Sequence, residues 1–188
     1  MRIIYLSPHL DDAVLSAGGL IHSQAGSGIP VEVWTCMAGA PPGPDVPEFA
    51  QVMHRIWGFS DAADAVRSRR AEYLRAVESL GARAHHFDFL DCIYRRGTNG
   101  EALYSDITLP IQPDDAQLPT AIADQVGSLL RPDDQLVCQL AIGGHVDHVI
   151  VRRAAESLRR PLIYLADIPY VLDHPDELRP AVIGLTQE

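Results

Sequence analysis

Two short segments hold residue types that could do chemistry together. Pro8-His9-Leu10-Asp11-Asp12 puts a histidine three positions before a carboxylate, and His145-Val146-Asp147-His148 puts two histidines at the same spacing. Side chains three apart meet on one side of a helical turn, so each pair could hold one metal ion. A single catalytic zinc takes three nitrogen and oxygen ligands and keeps a fourth position for water. His9, Asp12, His145 and His148 are four candidates for three places, which leaves one histidine for catalysis. Successive side chains diverge, so Asp11 and Asp12 do not easily share an ion. With Asp12 as ligand, Asp11 stands beside the metal-bound water, where a general base is needed. The competing reading is local: an Asp-Asp pair opening a helix is commonly a cap with a dipole-friendly neighbour, and a lone HxxH is often incidental.

The elements that carry the two segments decide between these readings. Residues 2–7 read as a buried strand ended by Pro8, and a helix runs from Asp11 until Gly26-Ser27-Gly28 and Pro30 stop it. Further strands are expected over 31–37, 82–87, 135–140 and 162–166, and helices over 48–57, 63–80, 120–130 and 149–158. The proline-rich stretch 38–47 and the long irregular stretch 88–119 are expected to wall a site. This alternation indicates one α/β domain over residues 1–188, Rossmann-like and three-layered, with a mainly parallel sheet of about five strands. Both segments then follow strands, at the rim where open α/β sheets bind ligands. If the first and fourth strands are neighbours across the switch point, the segments face each other, with Gly18-Gly19 and Gly143-Gly144 clearing space.

Composition removes other chemistries. All 15 basic residues are arginine, so there is no Schiff-base lysine and no P-loop lysine. A net charge of −10 argues against general affinity for nucleic acid or anionic membranes. Cys36, Cys92 and Cys138 form no CxxC pair and read as buried thiols in a reducing cytoplasm. The first residues make too short an apolar run for a signal peptide, and no window approaches the roughly 18 apolar residues of a membrane span.

The sequence is similar to the LmbE-like, or PIG-L, family of zinc-dependent de-N-acetylases, which act on N-acetylglucosamine-containing compounds. The family's motifs, (A/S)-H-P-D-D and H-P-D-H or H-V-D-H, correspond to Ser7-Pro8-His9-Leu10-Asp11-Asp12 and His145-Val146-Asp147-His148. Weaker agreement lies in Arg69-Arg70-Ala71-Glu72, in Leu90-Asp91-Cys92 and the residues after it, and in Asp167-Ile168-Pro169-Tyr170. The resemblance implies His9, Asp12 and His148 as ligands of zinc, with iron(II) suiting the same donor set. It implies Asp11 as general base, and His145 as the group that stabilises the oxyanion or protonates the leaving amine. Asp147 would orient and charge His145, and Arg69 would touch the substrate's sugar or phosphate. Metal-bound water would attack the acetyl carbonyl of a small N-acetylated sugar or glycoconjugate, releasing acetate and a free amino sugar.

Two departures stand out. Leu10 replaces the usual proline and is expected to loosen the loop, and the chain stops at Glu188, so C-terminal elements at the substrate mouth are expected to be reduced. The alternatives are a zinc amidase for a non-sugar amide and a Rossmann-like binding protein without turnover; homo-oligomerisation is compatible with each. His22, His54, His85, His86 and His174 lack a partner at ligand spacing and are expected at the surface or in packing. Ser16 is not in a GxSxG turn. Without the resemblance, Arg67, Arg69 and Arg70 would be a solvated helix face. Tyr94, Arg95 and Tyr104, in the long loop, are expected to line a sugar site.

Overall fold

The computed structural model describes residues 1–185. Five strands, β1 (Ile3–Ser7), β2 (Val31–Thr35), β3 (Arg83–His86), β4 (Gln135–Gln139) and β5 (Leu162–Leu165), pair in parallel in the order β3-β2-β1-β4-β5. The helices are α1 (Asp12–Gly26), α2 (Glu48–Trp57), α3 (Ala62–Ser79), α4 (Leu118–Leu129), α5 (Val146–Ser157), α6 (Tyr170–Asp173) and α7 (Pro175–Gly184). Every residue of β1 is buried, as a central parallel strand covered on both faces requires. The pleat splits the interior in two. Ile3, Tyr5, Val33 and Val137 pack with Ile21 of α1 and Val77 of α3, while Ile4, Leu6, Trp34 and Leu136 pack with Ile122 of α4 and Ile150 of α5. The α/β class expected from the sequence is the one observed, with the sheet wholly parallel.

The chain lays down β1, β2 and β3 outward in one direction, then crosses back to set β4 against the other side of β1. The order therefore reverses between β1 and β4, where Ile3 pairs with Gln135 and Tyr5 with Val137. A crevice opens beyond the carboxyl ends at such a reversal. The segments after these two strands are thus spatial neighbours.

Helix α5 begins at Val146, three residues before the expected start, because His145 caps it through a side-chain nitrogen. That shift puts Asp147 and His148 inside the first turn. The stretch 88–119 is irregular but ordered: two 3-10 turns, Cys92–Tyr94 and Pro113–Asp115, punctuate it, and Ile93 and Tyr104 are buried in the core. It touches the proline-rich loop where Gly39 N–H donates to the Phe89 carbonyl at 2.9 Å. Helices α6 and α7 were not expected, since Pro169, Pro175 and Pro180 interrupt the apolar pattern. Among the described residues no helix is long and apolar enough to cross a membrane. The three cysteines are buried thiols.

Candidate active site

Each segment is hung from its strand by local geometry. Ser7 Oγ donates to the His9 carbonyl at 2.7 Å and accepts from the Ala13 N–H at 3.2 Å, folding the turn back over the start of α1. Asp11 occupies the N-cap position, yet its side chain makes no capping hydrogen bond. The carboxylate is left for other work. Leu10 is buried among Ala13, Ala17 and their neighbours, so packing anchors the turn that proline would have stiffened.

After β4 the backbone bends through left-handed Ala141 (φ 59°), Gly143 (φ 77°) and Gly144 (φ 68°). A Cβ on Gly143 would stand 2.9 Å from Tyr170 Cδ1, so the missing side chain lets α6 close on the bend. Gly18 and Gly19 clear no such space: a Cβ at Gly18 meets its nearest neighbours at 3.7 Å, and one at Gly19 meets nothing within 4 Å. Gly143→Ala is expected to cost about 1–2 kcal/mol from the left-handed backbone. By pushing Tyr170, it should also lower kcat/KM roughly tenfold. Chemical unfolding and steady-state kinetics check the two effects.

Ligand atoms of His9, Asp12 and His148 lie within 4.8 Å of one another. Behind each histidine stands a carboxylate without solvent exposure. His148 Nδ1 bonds to Asp167 Oδ1 at 2.8 Å, and His9 Nε2 bonds to Asp147 Oδ2 at 3.0 Å. The other nitrogens converge on Asp12: His9 Nδ1 is 3.3 Å from Oδ2, and His148 Nε2 is 3.4 Å from Oδ1. With each N–H assigned to the backing carboxylate, the inward nitrogens are lone pairs facing an anion. Buried His148 Nε2 has no hydrogen-bond partner among the described residues. That geometry asks for a cation, and a carboxylate behind the imidazole is how metal-binding histidines are oriented. The residues fit a divalent metal.

Burial opposes charge on the rings, but Asp91, Asp12 and Asp147 hold His9 well above the ordinary histidine value, and Asp12 and Asp167 push His148 up to about 9. Against its own burial, Asp12 is held well below the usual carboxylate range by His148 and His9.

Asp147 departs from expectation. Its carboxylate makes no hydrogen bond to the His145 ring; it meets His9, Arg95 (2.6 Å) and the Cys92 N–H (2.9 Å), and its charge favours the charged form of His145 only from a distance. Only its backbone N–H reaches His145, donating to Nδ1 at 3.2 Å. Helix geometry is the reason, because residues two apart point in different directions. His145 Nδ1 is thus an acceptor and the ring proton sits on Nε2. Burial, then His9, pushes the ring down to about 3, so it is neutral.

His9, Asp11, Asp12, Arg69, Asp91 and His145 share an open cleft with an apolar wall that includes Leu15, Met53, Trp57 and Tyr170. The Asp11 side chain is 49% exposed and its Oδ2 is 3.3 Å from Arg69 Nη2. Burial and Asp12 raise the Asp11 carboxyl, with Arg69 working the other way. Arg69 is no solvated face residue: its guanidinium lies 4.5 Å over the Trp57 ring. His148 and Asp147 sit behind the cleft, both buried. Sequence reasoning gave no site role to Asp91 or Asp167, single aspartates whose only mark was the weaker family agreement. Tyr94, Arg95 and Tyr104 do not line the cleft; they are buried out of it. Of the histidines set aside, His22, His85 and His174 are exposed, and His54 is buried against the Tyr94 hydroxyl at 2.7 Å.

Comparison with known proteins agrees with this geometry. Nothing among curated protein sequences matches the chain. Among solved structures, the zinc-inhibited form of teicoplanin deacetylase is 36% identical with a TM-score of 0.83, the match covering 91% of this chain and 69% of that one. A deacetylase of an antimicrobial pseudoaglycone is 33% identical with a TM-score of 0.70, covering 90% of this chain and 65% of that one. The 4-carboxy-2-hydroxymuconate hydratase of Pseudomonas putida shares the fold at 20% identity and a TM-score of 0.54, over 85% of this chain and 56% of that one. The family model for PIG-L, the GlcNAc-PI de-N-acetylases, matches residues 4–158, a span that holds both histidine segments. The chain belongs to the PIG-L, or LmbE-like, family of de-N-acetylases.

Proposed function

We propose that this chain, as one deacetylase domain over residues 1–188, hydrolyses the N-acetyl group of an N-acetylglucosamine-type sugar carried on an apolar aglycone. One observation carries the metal part of this reading: two histidines, each backed by a buried carboxylate, aim bare nitrogens at the two oxygens of Asp12. His9, Asp12 and His148 would hold the ion, with zinc the metal favoured by the nitrogen-rich set. A divalent cation there supplies Lewis acidity, making a coordinated water nucleophilic near neutral pH and polarising the amide carbonyl.

The chain's own residues do the rest. Asp11, free of capping duty and open to the cleft, takes the proton of the attacking water and returns it to the departing amine. His145 donates its Nε2–H to the carbonyl oxygen as negative charge builds there. Arg69, braced on Trp57, meets sugar oxygens or an anionic group, a task no lysine is present to share. The apolar wall of Leu15, Met53, Trp57 and Tyr170 supports an apolar aglycone, and two relatives are named for teicoplanin and for a pseudoaglycone. A cytoplasmic setting, supported by three buried thiols, belongs to the same reading.

The test is acetate release from zinc-loaded protein, with metal content measured on the same sample. Burying about 100 Å² of aglycone adds about 2.5 kcal/mol of binding. An aryl or alkyl N-acetylglucosaminide should therefore exceed free N-acetylglucosamine in kcat/KM by roughly tenfold or more. Release only from a non-sugar acetamide such as acetanilide would make the protein an amidase of another class. No release from any substrate with zinc bound would make it a binding protein.

A further inference from the structure

The stretch 88–119 reaches under the cleft with a row of buried charges that the reaction as described does not use. Arg95 Nε lies 2.7 Å from Asp115 Oδ2, and Arg95 Nη2 lies 2.6 Å from Asp147 Oδ1. The guanidinium sits 5.0 Å from the centre of the Tyr104 ring, and the Tyr104 hydroxyl donates to Asp115 at 2.8 Å. A third nitrogen, Nη1, donates to the Leu90 carbonyl at 2.9 Å. Arg95 is 6% exposed, Asp115 7% and Asp147 0%.

We propose that Arg95 is a positioning residue for the metal site: it clamps one oxygen of Asp147 so that the other stays aimed at His9. Asp147 Oδ1 has Arg95, while Oδ2 takes the Cys92 N–H and the His9 ring. The Arg95 charge 2.6 Å from Oδ1 and the Cys92 N–H on Oδ2 hold the carboxylate at both ends, which favours the orientation in which Oδ2 meets the His9 ring. Stability alone does not explain the arrangement, because a buried ion pair is commonly matched or bettered by apolar side chains of similar volume. Two buried carboxylates share one arginine, and the surplus negative charge lies on the His9 side, where a cation would complete the row. Because Arg95 and Asp115 come from opposite ends of the stretch, the ion pair also ties its order to His9. This inference rests on His9 being a metal ligand.

The test is zinc affinity, measured by competition with a chromophoric chelator. Arg95→Met alone strands two buried carboxylates, so the informative pair is Asp115→Asn against Arg95→Met with Asp115→Asn, which has the net charge of the unaltered cluster and strands only Asp147. The double variant should bind zinc about 10- to 100-fold more weakly than Asp115→Asn. The metal-free double variant should melt below Asp115→Asn, because Asp147 loses its cation, so the two affinities are compared at a temperature where circular dichroism shows both folded. Equal affinities overturn the proposal. Should the double variant not fold, Arg95→Lys takes its place: the ammonium keeps the charge but loses the planar fork. It should then bind zinc at least about threefold more weakly than the unaltered chain; unchanged affinity overturns the proposal. The unaltered chain and His9→Ala are titrated alongside. If the former binds no zinc, or the latter binds it equally well, the metal reading of His9 fails, and the role of Arg95 with it.

Discussion

Asp11→Asn is expected to lower kcat/KM by roughly 100- to 10,000-fold while bound zinc stays at one per chain. The two adjacent aspartates divide the work because their side chains diverge. Asp12 is turned inward, with both oxygens against histidines and Oδ2 also accepting the His9 N–H at 2.7 Å. Asp11 is turned outward, half exposed, and Arg69 is its ion-pair partner. Partial desolvation in the cleft and the Asp12 charge raise its affinity for a proton, the direction a general base needs. Asparagine keeps the shape and can still accept from Arg69, so the fold and the substrate pose should survive, but it takes no proton from water. Metal analysis, unfolding and steady-state kinetics separate the outcomes. Loss of zinc would mean that Asp11 is a ligand; turnover within about threefold of the unaltered chain would mean that the base is elsewhere.

Much of this site is legible in the amino-acid sequence. Strand β1 and the segment after it, strand β4 and the segment after it, and the rule that ligands bind where strand order reverses are enough to bring His9, Asp12 and His148 together. The parts that are not legible have physical reasons. Histidine is not among the usual helix-capping residues, so nothing in His145-Val146-Asp147-His148 announces that α5 starts there. The family resemblance implies that Asp147 orients and charges His145, whereas the first turn of α5 sends its carboxylate to His9 and Arg95. Asp167 and Asp91 are single residues whose partners lie far away in sequence, and no spacing rule finds them. The ion pair between Arg95 and Asp115 has the same character: it exists only once the long stretch has folded under the sheet rim. The C-terminal helices are hidden by prolines, one of which, Pro180, lies inside α7.

His145→Asn is expected to lower kcat by roughly 100- to 1,000-fold, the scale of losing one donor to a developing oxyanion, without changing zinc content or the shape of the pH–rate profile. The profile decides between two roles. As an imidazolium that protonates the amine, His145 would make activity fall as pH rises through its own titration. As a neutral donor it titrates nowhere in the working range. Burial and His9 push it down to about 3, and a divalent cation beside it would push in the same direction. Its tautomer is set by the helix, since Nδ1 accepts the Asp147 N–H and the remaining proton must be on Nε2. Asparagine is the informative replacement because it is itself a good capping residue. Alanine would cost about 1 kcal/mol of helix start and blur the result. Asparagine's shorter amide cannot reach the place where Nε2–H stands. If kcat falls as expected and the alkaline limb of the unaltered chain persists in the variant, the oxyanion role holds, and the amine's proton comes from Asp11. If the alkaline limb disappears with His145, the ring is charged in the enzyme–substrate complex and serves as the acid.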